Sequence, residues 1–570
     1  MKPTRAHYAL SCENVGWRQA GPRLTLCRAD ASRKVQVMTD VLVVGAGPTG
    51  LMLANQLGRR GVRVTIIDRH SGPALESRAM AVHARTLEIY SKLGLVERAL
   101  ELGTPGYGAN MWAGGRLKAR IPLKDMGKDM SPFPYVLMLG QDDNERIMGE
   151  HLRRWGLSVQ WNTELVALDQ RADHVIATVK EVDGRTRTIT AAYVAGCDGS
   201  RSAVRTLCGI AFPGAPYEHA FFVADTEATG PMVANELNVF LWRSGFHLYF
   251  PMKGTNRWRV IGILPNELAG RDGVTFENLV PALLQVGGTG LSFTACHWFS
   301  TYRIHHRCTE RFRDRRCFLL GDAAHIHSPM GGQGMNTGLQ DAYNLAWKLA
   351  LVITNRAGEG LLDTYEAERR PFAQQLLATT DLAFRAVVSE SWFAGMLRTH
   401  IVPRVAAIAM SRKRVQRAAF QTLSQIGIRY GGSALSQDLG TPAGNAPHAG
   451  DRFPWLHLRF KPQGPREDLF QRLDDTRFNL LVIGQPAPSL EGLGLGDMLQ
   501  VHAIASDPEN DAALAGASIA GPSYYLLRPD GHIGLTGTVF QEGDLKRWLA
   551  QPHLQLASSP APHAAMISRR

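Results

Sequence analysis

The sequence predicts an α/β protein. It reads as a Rossmann-like dinucleotide-binding unit with an inserted antiparallel sheet, followed by a separate C-terminal unit. Three observations carry this. From about residue 40 to 380, short apolar runs alternate with helical patterns. Residues 237–263 break that alternation with aromatic and β-branched runs (Leu237–Arg243, Phe246–Phe250, Trp258–Ile263), which read as antiparallel strands. Strand patterns resume over 451–555, beyond a Gly-, Pro-, Ser- and Asn-rich stretch at 431–450 that reads as a linker.

Composition narrows the class. The 570 residues are 45% hydrophobic and 20% charged, ordinary for a folded enzyme and not for a fibrous or disordered chain. The net charge of +12 is scattered, and residues 1–38 alone hold seven basic and two acidic side chains. That distribution argues against a nucleic-acid patch. The seven cysteines (12, 27, 197, 208, 296, 308, 317) form no C-x-x-C, which excludes zinc-knuckle and dithiol redox chemistry. Their odd count and irregular gaps fit reduced thiols in a cytoplasmic protein. The uncharged stretch Val41–Gly58 is broken by Gly45, Gly47, Pro48 and Gly50, so it reads as strand, turn and helix rather than a membrane span.

The elements follow in order. Residues 1–37 lack apolar periodicity and are expected to be a disordered extension or an upstream start, a transit peptide being the weaker alternative. The dinucleotide-binding domain is placed at 38–395, discontinuous, with the inserted sheet at about 206–305. A helical segment and linker follow at 396–450, then the C-terminal domain at 451–555 and a flexible tail at 556–570. The strand Val41–Val44 leads into Gly45-Ala-Gly47-Pro-Thr-Gly50 and a helical pattern. Gly45 permits the tight turn, Gly47 lets backbone approach a pyrophosphate, and Gly50 allows close helix–strand packing. The helix start offers N–H groups to phosphates. A second strand, Val62–Ile67, ends in Asp68, placed to accept hydrogen bonds from a ribose. These features do not separate FAD from NAD.

Two further strings stand out. Asp198-Gly199-Ser-Arg-Ser202-Ala-Val-Arg205 follows an apolar run. Gly321-Asp322-Ala-Ala-His325 follows Phe318-Leu-Leu and leads through Gly331, Gly332 and Gly334 into a helix read from Leu339, Ala342, Leu345, Ala346, Leu349 and Ile353. His325 and His327 form H-x-H, but no carboxylate or cysteine pattern adjoins them, so packing is favoured and no metal is expected.

With these motifs in this order, residues 40–390 resemble the class A flavoprotein monooxygenases, the para-hydroxybenzoate hydroxylase-like aromatic hydroxylases. D-G-x-x-S-x-x-R matches at Asp198, Gly199, Ser202 and Arg205, and G-D-A-A-H at Gly321–His325. The resemblance implies a FAD-binding domain of glutathione reductase type. It implies FAD as cofactor, NAD(P)H and O2 as co-substrates, and a small aromatic, phenolic substrate hydroxylated through a flavin C4a-hydroperoxide. Asp322 would accept from the ribityl hydroxyls, and Gln141 would lie near the ribityl chain. Gly332, Gly334, Met335 and Asn336 would bring backbone N–H groups to the flavin N1–C2=O edge, where a positive helix end stabilises the reduced ring. Asp198 and Gly199 would sit near the pyrophosphate and assist the nicotinamide. Arg205 would join them or serve only as a structural ion pair. The loop after Asp68 resembles the family's phosphate-contacting loop, with Arg78 and Arg85 as candidates. For Arg85, a plain pairing with Glu88 three residues on is an equal reading.

One departure matters. Phenol-hydroxylating relatives place an acid in this loop, where this sequence has Met80, and His83 is only a weak substitute. Residues 451–555 resemble the thioredoxin-like extension of phenol hydroxylases; with no cysteine after 317, its role would be scaffolding, as in a homodimer. The same flavin chemistry on a large polycyclic antibiotic or polyketide is the nearest alternative. A flavin-binding protein without turnover predicts bound cofactor but no NAD(P)H oxidation, and a nucleic-acid binder predicts salt-dependent DNA affinity. The candidate sites carry no G-x-S-x-G, which speaks against an α/β-hydrolase. Trp258–Pro265 lacks the second tryptophan of the flavin halogenase W-x-W-x-I-P.

Overall fold

The computed structural model describes residues 37–556, except 75–78, 125, 243–244, 289, 329, 389–390, 441–443, 462 and 491–492. The expected extension before 37, the tail after 556 and the candidate Arg78 lie outside the described residues.

The first sheet is built on parallel strands. Val37–Val44 (β1) lies between Val64–Ile67 (β2) and Thr186–Gly196, with Cys317–Leu319 next to the latter. The helix Pro48–Gly58 (α1) follows β1, and Ala84–Leu93 (α2) follows β2. All four positions Val41–Val44 are essentially inaccessible, as a strand buried on both faces requires.

The second sheet has eight strands and opens with the hairpin Gly108–Ala113 (β3) and Arg116–Pro122 (β4). The helix Gln141–His151 (α3) intervenes before Thr186–Gly196 (β5) and the short helix Ala203–Leu207 (α4). The second sheet then resumes with Gly214–Thr229 (β6), Leu237–Trp242 (β7), Gly245–Pro251 (β8) and Arg257–Ile263 (β9). After the helix Phe276–Gly287 (α5), Ser292–Cys308 (β10) returns along β6. The sequence places this sheet at about 206–305; the structure adds the hairpin β3–β4, which joins through a parallel pairing of β3 with β7. The signal was the turn Gly114-Gly115, both at positive φ.

Alternation gives this sheet two apolar faces. Phe222, Tyr249 and Trp258 pack on Leu279 and Leu283 of α5. The neighbouring Phe221, with Phe246 and Ile304, faces Phe384 and Val388. The last two belong to Asp363–Val388, which follows Cys317–Leu319 (β11) and the helix Gly334–Ile353 (α6) and is termed α7.

The C-terminal unit is a five-stranded mixed sheet in the order 437–439, 533–537, 523–527, 478–483, 499–504. The stretch 431–450 is not a free linker. It supplies that sheet's edge strand, Gln437–Leu439, and Leu435 is fully buried. Its small polar residues read as a linker, but they serve a docking seam. There the Glu368 carboxylate accepts from Arg528 Nη1 at 2.6 Å, Lys348 Nζ at 2.7 Å and Ser433 Oγ at 2.6 Å. Glu368, Arg528 and Lys348 side chains are fully inaccessible. Buried charges persist only when saturated in this way, and the cluster ties the C-terminal sheet to α6 and α7.

Candidate functional site

Strand register builds the site. Val44 pairs with Ile67 of β2 and with Gly196 of β5, and Gly196 pairs with Leu319 of β11. Four strand ends therefore stand at one level. The next residues are Gly45, Asp68, Cys197-Asp198 and Leu320-Gly321-Asp322. Stretches of sequence up to 277 residues apart emerge side by side at the carboxyl edge of a parallel sheet, where such folds place ligands.

The glycine turn is forced. Gly45 has φ +101°, and a Cβ there would collide with the Cys197 carbonyl oxygen. A Cβ on Gly50 would overlap the Gly45 carbonyl oxygen. Gly47, the N-cap of α1, is different: a Cβ there meets nothing closer than Glu145 Oε1 at 4.0 Å. Its backbone is left bare beside a helix N-terminus with no side-chain cap, a surface suited to a diphosphate. Asp68 accepts from Ala46 N–H at 2.7 Å, which fixes its carboxylate at the rim of this turn.

The second motif proves to be mainly a brace. Asp198 accepts from Ser202 Oγ at 2.5 Å, Ala203 N at 2.6 Å and Val204 N at 3.1 Å, and so caps α4. Burial pushes its carboxyl above the usual range. Among the described residues Arg205 forms no ion pair of the kind its sequence allowed. It donates to the carbonyls of Ala323 at 2.9 Å and Ser200 at 2.7 Å, stitching this loop to the third motif. Gly199 sits at the turn with φ +74° and open space around it.

In the third motif, Asp322 is exposed while Leu320, Gly321, Ala323 and Ala324 are buried, so the loop presents one carboxylate outward. Gly321 (φ +58°) lies against Thr49 of α1, with 2.7 Å between Thr49 Oγ1 and an added Cβ. The loop is held from behind by Asp341 of α6, which sequence reasoning missed. Its carboxylate accepts from Gly321 N at 3.0 Å, sits 2.7 Å from His325 Nε2 and accepts from Arg369 Nε at 2.6 Å. Burial works to raise this carboxyl, but Arg369 and His325 outweigh it and hold it below the usual range. His325 thus has a structural partner, and no metal-binding group of three or more ligands occurs among the described residues.

The start of α6 follows a left-handed turn at Gly331 (φ +77°) and Gly332 (φ +63°). Gln333 provides no side-chain cap, so the backbone at Gly334 and Met335 opens the helix uncapped. The Asn336 side chain is spent elsewhere. It accepts from His83 N at 2.9 Å and Thr86 Oγ1 at 2.8 Å and donates to Ala81 O at 2.8 Å. Any cofactor contact from Asn336 must come from its backbone. Gln141, at the start of α3, donates to Glu145 Oε1 at 2.9 Å; Glu145, a second residue missed from sequence, also accepts from Ala74 N. Burial, with Asp68 and Asp142 nearby, raises the Glu145 carboxyl above its ordinary value.

The sequence offers Arg85 as a phosphate contact, and the structure removes it. Its guanidinium is buried, donating to Glu88 at 2.9 Å and to the Asp530 carbonyl at 2.5 Å in the C-terminal seam. Met80 is buried. His83 Nε2 donates to the Gly331 carbonyl at 2.9 Å. Burial holds His83 at about 4 and His327 at about 4, so neither ring is a cation at neutral pH. A fully buried His83 with this depressed value favours folding only while neutral. Its contribution is whole above the unfolded value near 6.5 and is lost as pH falls toward about 4, roughly 3 kcal/mol in all. Thermal stability should therefore decline between those pH values, and His83→Gln should flatten the decline in a pH series of melting curves.

A dinucleotide carrying a diphosphate and a polyol fits what the chain presents: a bare glycine backbone at one helix end, carboxylates at Asp68 and Asp322, and the uncapped start of α6. Asp322→Ala should weaken FAD binding about tenfold or more, because charge-assisted hydrogen bonds to hydroxyls lose their acceptor. Flavin fluorescence titration measures this, and unchanged affinity would remove the role.

Comparison with known proteins agrees with this geometry. Residues 38–380 match the family model described as FAD binding domain. The chain is 33% identical over 540 residues to the 6-methylpretetramide 4-monooxygenase of Streptomyces rimosus, covering 92% of this chain and 95% of that one. It is 32% identical to the pentachlorophenol 4-monooxygenase of Sphingobium chlorophenolicum, over 79% of this chain and 80% of that one. The solved anhydrotetracycline hydroxylase OxyS of Streptomyces rimosus superposes with a TM-score of 0.73 at 29% identity, over 92% of this chain and all of that one. A match of this extent, on a chain whose four strand ends converge as described, places the protein in the FAD binding domain family of flavin-dependent aromatic monooxygenases, with FAD as its cofactor.

Proposed function

We propose that this enzyme uses NAD(P)H and O2 to hydroxylate a phenolic aromatic substrate. The observation that carries the reading is the common level of the strand ends Val44, Ile67, Gly196 and Leu319, which lead into Gly45, Asp68, Asp198 and Asp322 at one sheet edge. Bound FAD supplies hydride acceptance and oxygen activation. The chain's own groups do the rest. The α1 N-terminus and Gly47 hold the diphosphate; Asp68 and Asp322 accept from the ribose and ribityl hydroxyls, with Gln141 beside them. Gly199 borders the diphosphate, and backbone N–H groups at Gly334–Asn336 oppose negative charge on the ring edge. Gly332 lets the backbone turn into that position. The inserted sheet bounds the substrate side and excludes water. Met80 carries no basic group, and burial makes His83, whose Nε2 donates to the Gly331 carbonyl, only a weak base.

The names of the similar proteins favour a second reading, a fused polycyclic phenol, since one is an anhydrotetracycline hydroxylase and another a 6-methylpretetramide 4-monooxygenase. One experiment separates the two. A panel from simple phenols to polycycles is scored for stimulated NAD(P)H oxidation, O2 uptake and product mass gain of one oxygen. Reductase activity without oxygen insertion across the panel would contradict the hydroxylase reading. We further propose that 451–555 adopts the thioredoxin-like arrangement as a scaffold. A dimer mass by light scattering is the check on its role in self-association.

A further inference from the structure

The segment after α7 carries features that flavin chemistry does not use. It runs through Trp392–Met396 (α8), a π-helical turn at Leu397–Ile401, Val402–Met410 (α9) and Lys413–Leu423 (α10). The inner side is anchored. Arg398 Nη1 donates to the Trp242 carbonyl at 3.2 Å, Pro403 and Phe420 are buried, and α9 lies along β4, the edge strand of the inserted sheet. The outer side is apolar and bare. Trp392 is 64% exposed, Phe393 59%, Val405 56% and Ile408 63%. Ile401, Val405 and Ile408 fall on one helical stripe, so their exposure is a face rather than isolated side chains, and Trp392 and Phe393 add two exposed rings one short helix earlier.

The charge along this segment has one sign. From Ser391 to Gln437 there is no Asp or Glu, against seven Arg and Lys. Arg404, Arg412, Lys413, Arg414 and Arg417 are all exposed. The adjoining strand β4 adds Arg116 and Lys118, an exposed Leu117 and no acid. Among the described residues no helix is long and apolar enough to cross a membrane.

We propose that this face docks the enzyme on an anionic lipid surface, with Trp392, Phe393, Val405 and Ile408 entering the headgroup boundary and the surrounding cations meeting lipid phosphates. An apolar face with a cationic collar is what interfacial helices use, and each cation near an anionic leaflet strengthens binding several-fold. A second copy fits less well, because a two-fold contact would set the same cations against themselves. The docking does not depend on which substrate is oxidised.

The test uses the FAD-loaded protein, co-sedimented with vesicles of phosphatidylcholine alone or with one-third phosphatidylglycerol. We expect binding to the mixed vesicles, at least about tenfold weaker binding to the neutral ones, and release at high salt. Val405→Ser with Ile408→Ser should cost about tenfold through lost apolar insertion. Charge reversal at Arg412, Lys413 and Arg414 should cost about a hundredfold or more, since each cation counts several-fold. Flavin absorbance and melting midpoint should be retained in both variants, since every altered side chain is solvent-facing. Wild-type protein that shows no preference for anionic vesicles would overturn the proposal, whatever the variants do. So would vesicle binding unchanged in both variants, or a dimer that Val405→Ser with Ile408→Ser dissociates.

Discussion

Replacing Gly50 with alanine is expected to weaken FAD binding by about two orders of magnitude and to cost about 1–3 kcal/mol of stability. The reason is steric. The new Cβ would overlap the Gly45 carbonyl oxygen and lie 3.2 Å from Cys197 Cβ, so α1 must move away from the turn that shapes the diphosphate surface. Helix propensity points the other way, since alanine favours a helix interior over glycine by about 1 kcal/mol. Gly149→Ala in α3 is the matched control. Nothing lies within 4 Å of a Cβ there, so that variant should be neutral or slightly stabilising with FAD affinity unchanged. Calorimetry and flavin titration of the pair distinguish close approach from a general intolerance of alanine.

The second large effect is at Asp341. Asp341→Asn places an amide among three groups that need an acceptor and leaves Arg369, fully inaccessible, without its counter-charge. Breaking a buried ion pair on one side costs about 3–5 kcal/mol. FAD should also be retained less well, because one neutral amide oxygen cannot serve Gly321 N–H, His325 and Arg369 together, and Asp322 moves with the loosened loop. Combining Asp341→Asn with Arg369→Met should recover part of the stability, since no uncompensated charge then remains. FAD affinity should recover only in part, because a neutral amide oxygen is a weaker acceptor for Gly321 N–H and His325 than the carboxylate. Full recovery of both would show that Asp341 contributes only charge balance.

What could be read from sequence divides along a physical line. The glycine turn, the acid ending β2 and the two later motifs were legible because each is a local pattern with a local cause. Their convergence follows from the register of parallel strands, which no single motif displays. Arg85 could not be assigned from its neighbourhood, because its second partner is the carbonyl of Asp530, 445 residues away. Asn336 sits in the motif, yet its side chain serves the α2 loop, and only the pairing of both amide ends shows it. Asp341 lies inside an apolar helical pattern and looks like one polar interruption; its role depends on Arg369 and the Gly321 turn packing behind it. The hairpin β3–β4 was missed because a short one-sided edge strand carries little apolar signal. The stretch 431–450 misled for a related reason: small polar residues line a buried seam as readily as a free linker.

The account rests on one extended dinucleotide bridging four strand ends, and stoichiometry measures that directly. Purified protein, saturated with FAD and freed of excess, should release one FAD per chain on denaturation and melt at a higher temperature than the FAD-free chain. Protein that stays colourless after incubation with FAD, with no change in its melting curve, would contradict the account.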